Sequence, residues 1–126
     1  MECISRGAKS VIFCENYPKT VKILKKNIRE LNCENKTEII TENIFKIRKF
    51  GNFGKNKFEI IFLDPPYKEK KLNNLLKDII YLKLLKKNGL IIMHRNKKDR
   101  EFYPKEFKIL KTKTYGISKI IFGLIT

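Results

Sequence analysis

The chain has 126 residues and a formal net charge of +16, because 29 lysines and arginines outnumber 13 acidic residues. This length suits one domain or part of one. The sequence contains no run of about 18 apolar residues, and no basic segment leads into an apolar one, so it predicts neither a membrane span nor a signal peptide. So positive a charge favours a polyanionic partner, nucleic acid before a membrane surface. A lysine-rich composition also arises from AT-rich codon usage, so charge alone does not locate a site.

The three cysteines, Cys3, Cys14 and Cys33, are odd in number and show no C-x-x-C spacing. This argues against a disulfide framework and against a zinc site, and no other metal-ligand pattern is present. The sequence therefore predicts a cytoplasmic protein without a metal, whose cysteines are small buried hydrophobes.

The first half of the chain alternates apolar runs with one helical stripe. Residues 10–14 predict a short buried strand. Pro18 stands where a helix begins, and apolar residues recur at spacings of three and four, which predicts a helix over 18–31. The stripe consists of Val21, Leu24, Ile28 and Leu31. Residues 37–41 predict a second strand, 44–50 one or two helical turns, and 51–57 a loop.

The second half begins with the sequence FEIIFL at residues 58–63. It is apolar at nearly every position, which predicts a strand buried on both faces, as in a parallel sheet. A helix over 72–85, ended by Asn88 and Gly89, should lead into a strand over 90–93.

The last two predicted strands cover residues 107–114 and 118–125. Tyr115, Gly116 and Ile117 join them, so they form an antiparallel hairpin at one edge of the sheet. Alternation of strands and helices predicts an α/β fold with a mostly parallel sheet.

The stretch Asp64-Pro65-Pro66-Tyr67 follows directly after the apolar strand. In an open parallel sheet, ligands bind beyond the carboxyl ends of the strands. Two consecutive prolines make a stiff corner, which can aim the Asp64 carboxylate and the Pro65 carbonyl at one point. Tyr67 would supply a flat face on which a base stacks. A turn that only terminates the strand is the alternative interpretation.

These groups suit the exocyclic amine of a nucleic-acid base. The lone pair of such an amine is delocalised into the ring, which makes the nitrogen a poor nucleophile. Two acceptors that bind its hydrogens localise the lone pair towards an electrophile held in line at about 3–3.5 Å. Asp64 need not be a strong base, because the proton can leave after the attack.

FEIIFLDPPY resembles the catalytic motif of S-adenosylmethionine-dependent amino-methyltransferases. SRGAKSVIFCENYPKTVKILKKNIRELN, FLDPPY and the terminal YGISKIIF together resemble the bacterial 16S ribosomal RNA guanine-N2 methyltransferases over nearly the whole chain. The resemblance implies a Rossmann-like methyltransferase sheet, with Asp64, Pro65, Pro66 and Tyr67 as the catalytic motif.

The resemblance also implies a cofactor site for S-adenosylmethionine. Glu15, at a strand end, would bind the ribose hydroxyls, as acidic groups in that position do. Asn43 would read the adenine ring, and Ile44 would pack on the adenine face. The alternatives are an exposed glutamate at a turn and an ordinary turn asparagine.

The family carries a strand and a glycine-rich loop before SRGA, and this sequence shows neither. We therefore expect residues 1–126 to be a partial methyltransferase domain that lacks the first strand and the glycine-rich loop. In the family that strand lies between the strands that end at Glu15 and at Asp64, so its loss leaves both with unpaired backbone groups on one side. A fragment, an internal start, a degenerate gene and a binding module remain open interpretations.

Four residues after the fourth strand have two interpretations each. His94, the only histidine, lies at the same sheet edge as Asp64 and is either near the pocket or an ordinary surface histidine. Arg95, Lys97 and Lys98 either contact phosphates or form a solvated basic turn.

The resemblance predicts methyl transfer from S-adenosylmethionine to the N2 amine of a guanine in 16S rRNA. The expected partner is 16S rRNA or the small ribosomal subunit, without a membrane, for a monomer in the cytoplasm. Two alternatives remain: a non-catalytic basic RNA-binding remnant, and an adenine-N6 DNA methyltransferase, although the latter needs a target-recognition segment that this length does not house.

Overall fold

A computed structural model describes residues 2–50, 57–65 and 71–126. The chain divides into two compact units, one up to Lys46 and one from Ile47 to Thr126. No helix among these residues is long and apolar enough to cross a membrane. Residues 51–56 of the loop predicted over 51–57, and the motif residues Pro66 and Tyr67, lie outside the described residues.

The first unit contains two helices and a parallel pair of strands. The elements are α1 (Glu2–Ser5), β1 (Val11–Cys14), α2 (Pro18–Glu30) and β2 (Thr37–Ile40), with 3₁₀ turns at Glu34–Lys36 and Ile44–Lys46. β1 pairs with β2 in parallel register, with Val11 opposite Thr37 and Cys14 opposite Ile40. The predicted order of strand, helix and strand is confirmed.

Helix α2 begins at Pro18, as predicted, because proline at the first helical position gives up no hydrogen bond that the helix needs. Its apolar stripe buries Val21 and Ile28. Leu31 caps the helix and is 62% exposed, so its inclusion in the buried stripe is wrong. The stripe ends one turn earlier than predicted because the chain leaves the helix there and Asn32 adopts a positive φ of 53°.

The second unit contains a four-stranded sheet and two helices. The elements are α3 (Ile47–Phe50), β3 (Phe58–Leu63), α4 (Leu72–Tyr81), β4 (Leu85–Asn96), β5 (Phe107–Tyr115) and β6 (Ser118–Ile125). The strands lie in the order β3-β4-β6-β5, with β3 parallel to β4 and the other pairs antiparallel. The C-terminal hairpin lies at one edge, as predicted, and Gly116 turns it with a φ of 54°.

The core of the second unit combines the apolar face of α4 with one face of β4 and β6. Its most buried members are Leu72, Leu75, Leu76, Ile79, Ile91, Met93 and Ile121. Residues alternate across β4, so Ile91, Met93 and Arg95 share the buried face. Helix α3 is tied to α4 by Arg48, whose Nε lies 2.5 Å from Asp78 Oδ1 and whose guanidinium lies 4.2 Å from the Tyr81 ring centroid.

Two predictions for this unit are wrong. Burial of β3 on both faces fails, since Ile60 and Phe62 are 56% and 58% exposed. Among the described residues, only the face of β3 that carries Ile61 and Leu63 is covered, so a continuous apolar run does not here indicate two covered faces. The helix predicted over 72–85 ends at Tyr81, and Asn88 and Gly89 lie inside β4, where the register with β3 shifts.

Candidate active site

Asp64 follows the last residue of β3 and lies beside His94 on β4. The parallel register places Leu63 opposite Met93, which brings the next residue of each strand together. His94 Nδ1 lies 3.0 Å from Asp64 Oδ1, and the Asp64 side chain is half exposed. Because a carboxylate only accepts hydrogen bonds, Nδ1 carries the hydrogen and donates it. His94 thus contacts one oxygen of the Asp64 carboxylate at the strand end, and the side chain as a whole stays half exposed.

The Pro65 carbonyl lies beside the next residue of β4. Arg95 Nη1 makes a long contact of 3.5 Å to the Pro65 oxygen. The Arg95 side chain is buried, with 1% exposure. Its Nε lies 2.5 Å from Glu101 Oε1, and its Nη2 lies 3.6 Å from Asp99 Oδ2. Two carboxylates therefore compensate this buried charge and fix the guanidinium behind the motif.

These contacts position the two acceptors and occupy only some of their lone pairs. A carboxylate offers about four lone-pair sites and a carbonyl two. Asp64 and Pro65 therefore keep acceptor capacity for the two hydrogens of an amine. The prediction that Asp64 and Pro65 form an acceptor pair has a geometric basis, whereas Pro66 and Tyr67 keep only their sequence-based roles.

In the first unit, Glu15 and Asn43 follow the carboxyl ends of β1 and β2, and both are half-buried, as is Ile44. Because these strands are paired in parallel, both residues belong to the same edge of the pair. Glu15 Oε1 accepts a hydrogen bond of 3.0 Å from the Tyr17 amide, which leaves its other oxygen for a ribose hydroxyl. Asn43 Oδ1 accepts one of 3.0 Å from the Phe45 amide, which leaves its NH₂ group as a donor to an adenine ring nitrogen. These residues fit the nucleoside part of S-adenosylmethionine.

The structure corrects the interpretation of Arg95 as a residue that contacts phosphates or forms a solvated turn. It is buried because β4 continues to Asn96, which places Arg95 on the core face. Lys97 and Lys98 are exposed beyond the strand. Acidic residues four and six positions after Arg95 were the available signal, since a buried arginine needs such partners. For His94, the contact with Asp64 favours the interpretation that places it near the motif.

The cysteines are all free, but only Cys33 is fully buried, so the prediction of three buried hydrophobes is wrong for Cys3. Cys3 lies in the short helix α1, which has no buried residue. Burial, and then the nearby Glu38 carboxylate, raises the pKa of the Cys14 thiol. Cys14 is therefore an unreactive neighbour of Glu15 and not a nucleophile.

Solved structures show which class of protein has this arrangement. A protein from Haemophilus influenzae, described as a methylase, is 30% identical, with a TM-score of 0.80 over 97% of this chain and 76% of that one. A methyltransferase solved with S-adenosylhomocysteine has a TM-score of 0.72 over 94% of this chain and 40% of that one; at 16% identity it shows the fold alone. The fold is that of the S-adenosylmethionine-dependent methyltransferases, a class defined by its use of that cofactor. The chain belongs to the family described as Conserved hypothetical protein 95, which matches residues 1–123.

The name of a curated relative includes an activity. The "Ribosomal RNA small subunit methyltransferase D" of Buchnera aphidicola is 38% identical over 116 residues, which cover 90% of this chain and 58% of that protein. The chain spans about three fifths of the length of this relative and of a relative from Haemophilus influenzae with the same name. The resemblance noted from the sequence is thereby confirmed for the family and the fold.

Proposed function

We propose that residues 1–126 form part of a methyltransferase domain that methylates the N2 amine of a guanine in 16S rRNA. The observation that carries the proposal is the pair of acceptors at the end of β3, with His94 and Arg95 behind it. The name of the Buchnera aphidicola relative supports small-subunit ribosomal RNA as the substrate. The proposed setting is the cytoplasm, where the protein acts as a monomer on 16S rRNA or on the small ribosomal subunit.

The chemistry assigned to this chain is the activation of an amine. S-adenosylmethionine supplies an electrophilic methyl group on a sulfonium. The Asp64 carboxylate and the Pro65 carbonyl accept hydrogen bonds from the two N–H groups of the guanine amine. These hydrogen bonds turn the lone pair of the nitrogen towards that methyl group. Transfer of the methyl group would break its bond to the sulfonium sulfur, leave a neutral thioether and make the nitrogen cationic, and the Asp64 carboxylate would stabilise this charge until a proton leaves to solvent.

The other site residues have supporting roles in the proposal. Pro66 stiffens the corner after Pro65, and Tyr67 offers its ring to the guanine once the base leaves its stack. Stacking of this kind contributes about 1–3 kcal/mol per base. Glu15, Asn43 and Ile44 hold the ribose and the adenine of the cofactor.

The test is transfer of labelled methyl groups from S-adenosylmethionine to a 16S rRNA transcript and to small ribosomal subunits. It is made with this chain and with a chimera that adds the part of the Buchnera aphidicola relative that the chain does not cover. Hydrolysed RNA should contain N2-methylguanosine, identified by mass spectrometry. Asp64→Ala should abolish transfer and leave the affinity for S-adenosylmethionine unchanged, because the carboxylate contacts the amine and not the cofactor.

Each alternative function has its own outcome in this test. Methyl groups on the N6 amine of adenine would replace the guanine assignment with the adenine-N6 alternative. RNA binding without any methylated nucleoside, in the chain and in the chimera alike, would favour the non-catalytic RNA-binding alternative. Equal loss of cofactor affinity and of transfer in Asp64→Ala would make Asp64 a cofactor ligand or a structural residue.

A further inference from the structure

In residues 97–105, which lie between β4 and β5, the acidic side chains face the protein interior and the basic side chains face the solvent. Asp99, Glu101 and Tyr103 are half-buried, whereas Lys98, Arg100 and Phe102, each of which directly precedes one of them, are exposed. The acidic side chains turn inward to Arg95, so their charge is compensated inside the protein. The outward side therefore carries cations and an aromatic ring, although the sequence of the segment is mixed in charge.

Phe102 is the most exposed large apolar residue that the structure describes, at 89%. A single exposed apolar residue needs no explanation on a flexible tip, but this segment is tied down on both sides. The Lys97 amide donates to the Ile117 carbonyl at 2.8 Å, and the Phe107 amide donates to the Pro104 carbonyl at 3.0 Å. Lys119 Nζ donates to the Asp99 carbonyl at 2.5 Å.

The inward side of the segment is anchored as firmly. Tyr103 packs edge-on against Phe107, with ring centroids 5.4 Å apart. Burial, reinforced by the Glu101 and Asp99 carboxylates and opposed by the Arg95 guanidinium, raises the pKa of Tyr103 to about 12. The phenol therefore stays neutral at physiological pH. The segment is a fixed platform, and Phe102 projects from it.

The platform is connected directly to the candidate active site. Arg95 contacts Glu101 on one side and the Pro65 carbonyl on the other. A ligand that lies on the outward side of residues 97–105 is thus bound by a segment that shares one buried side chain with the motif.

An aromatic ring beside solvent-exposed cations matches single-stranded nucleic acid. Proteins that bind single strands stack the bases on aromatic side chains and neutralise the phosphate backbone with lysine and arginine. Arg100 and Phe102 are two residues apart and both exposed, and Lys97, Lys98 and Lys105, also exposed, extend the positive charge. A folded protein partner or a membrane would need a wider apolar patch than one ring.

We propose that the outward side of residues 97–105 binds single-stranded RNA next to the target nucleotide, with Phe102 stacked on a base and Arg100 on a phosphate. This deepens the proposed function, on which it rests, by giving the RNA substrate a contact surface outside the Asp64–Tyr67 motif.

The test measures binding of a fluorescein-labelled single-stranded RNA of about 12 nucleotides, a length within the usual site size, by anisotropy on the full chain. Phe102→Ala should weaken binding about 5- to 150-fold, the range that corresponds to the loss of one stacked base, about 1–3 kcal/mol. Phe102→Leu should be as weak as Phe102→Ala, because it keeps apolar area without a ring, and Phe102→Tyr should bind like the unaltered chain. The matched control is Leu110→Ala, an exposed apolar residue between Ile109 and Lys111 on β5, which should change nothing.

The ionic contact is tested by salt dependence. Arg100→Gln should lower the slope of log affinity against log salt by about 0.7, the value for one phosphate of a single strand. Lys22→Gln on α2 makes the same change of charge elsewhere and should leave the slope unchanged. Far-UV circular dichroism and urea midpoints verify that every variant is folded.

The proposal is overturned if the unaltered chain binds no RNA, or if Phe102→Ala binds as well as the unaltered chain does. It is also overturned if Phe102→Ala weakens binding to vesicles that contain phosphatidylserine and leaves binding to RNA unchanged. Because no cofactor is present and no methyl transfer is measured, these results are independent of whether guanine is the methylated base.

Discussion

His94 and Arg95 are consecutive residues on β4, and their side chains lie on opposite faces of the sheet. Both nevertheless reach the same motif, because Asp64 and Pro65 are also consecutive at the end of the neighbouring strand. The parallel register of β3 and β4 places His94 beside Asp64 and Arg95 beside Pro65. His94 contacts the carboxylate from the exposed face, and Arg95 contacts the carbonyl from the buried face. A single backbone register therefore positions both acceptors.

The contact between His94 and Asp64 leads to a prediction about the imidazole itself. Neutral His94 should be mainly the tautomer with hydrogen on Nδ1, because Asp64 accepts from that nitrogen. Since His94 is the only histidine, a long-range ¹H–¹⁵N spectrum at high pH reports on it alone. Asp64→Asn should shift its Nδ1 resonance.

Loss of this contact should also affect transfer. His94→Leu should lower kcat about 2- to 10-fold, the range for one hydrogen bond of about 0.5–1.5 kcal/mol, without changing the affinity for S-adenosylmethionine. His94→Asn can still donate to Asp64 and should retain more activity. An unchanged nitrogen spectrum in Asp64→Asn, together with unchanged transfer in His94→Leu, would remove His94 from the site.

At the scale of elements, the hairpin of β5 and β6 depends on a glycine. A Cβ at Gly123 would overlap the Phe107 ring and lie 2.8 Å from the Lys108 carbonyl oxygen. Phe107 also packs on Tyr103, so the hairpin and the segment 97–105 share this ring.

Gly123→Ala should therefore destabilise the protein by about 1–3 kcal/mol, as overpacking of a tight site does. Urea unfolding followed by circular dichroism measures the free energy. Combination with Phe107→Ala should cost less than the sum of the single changes, because the smaller side chain makes room for the new methyl group. Strict additivity would show that the Phe107 ring does not impose the glycine. Gly116→Ala is the control, since nothing lies within 4 Å of its added Cβ and only its φ of 54° opposes the change.

The local pattern of apolar and turn residues predicts most of these helices and strands. It does not predict the element boundaries that depend on residues distant in the sequence. The helix ends at Tyr81 and not at residue 85 because Lys83 turns the chain with a φ of 52°. Strand β4 extends to Asn96 because Asn96 pairs with Ser118, and no local preference encodes that pairing. The candidate site divides in the same way. Asp64 and Pro65 follow from the motif, whereas the contacts of His94 and Arg95 follow from the register of β3 and β4.

At the scale of the whole molecule, the two units have unequal sheets. The first unit has two paired strands of four residues each, and the second has four strands of up to twelve. An isolated pair of strands is marginally stable, whereas three or more strands with an apolar face support one another.

Hydrogen exchange should therefore distinguish the units. Amides of β1 and β2 should exchange faster than those of β4 and β6, because local opening of a small unit costs less than opening the larger one. Mass spectrometry of peptides after timed exchange in deuterated buffer measures this difference. Equal protection of all four strands would show that the chain opens only as a whole, and the assignment of two units of unequal stability would be wrong.

The open edge of β3 has a consequence for the behaviour of the chain in solution. Beyond its pairing with β4, the described residues offer β3 no second strand, and Ile60 and Phe62 lie exposed beside that edge. Such an edge is a template for strands of other molecules. The charge of +16 keeps the molecules apart at low ionic strength. Salt that screens this repulsion within about 10 Å at 0.1 M should therefore promote self-association, so that the protein is most dispersed in dilute buffer and becomes turbid as salt is added.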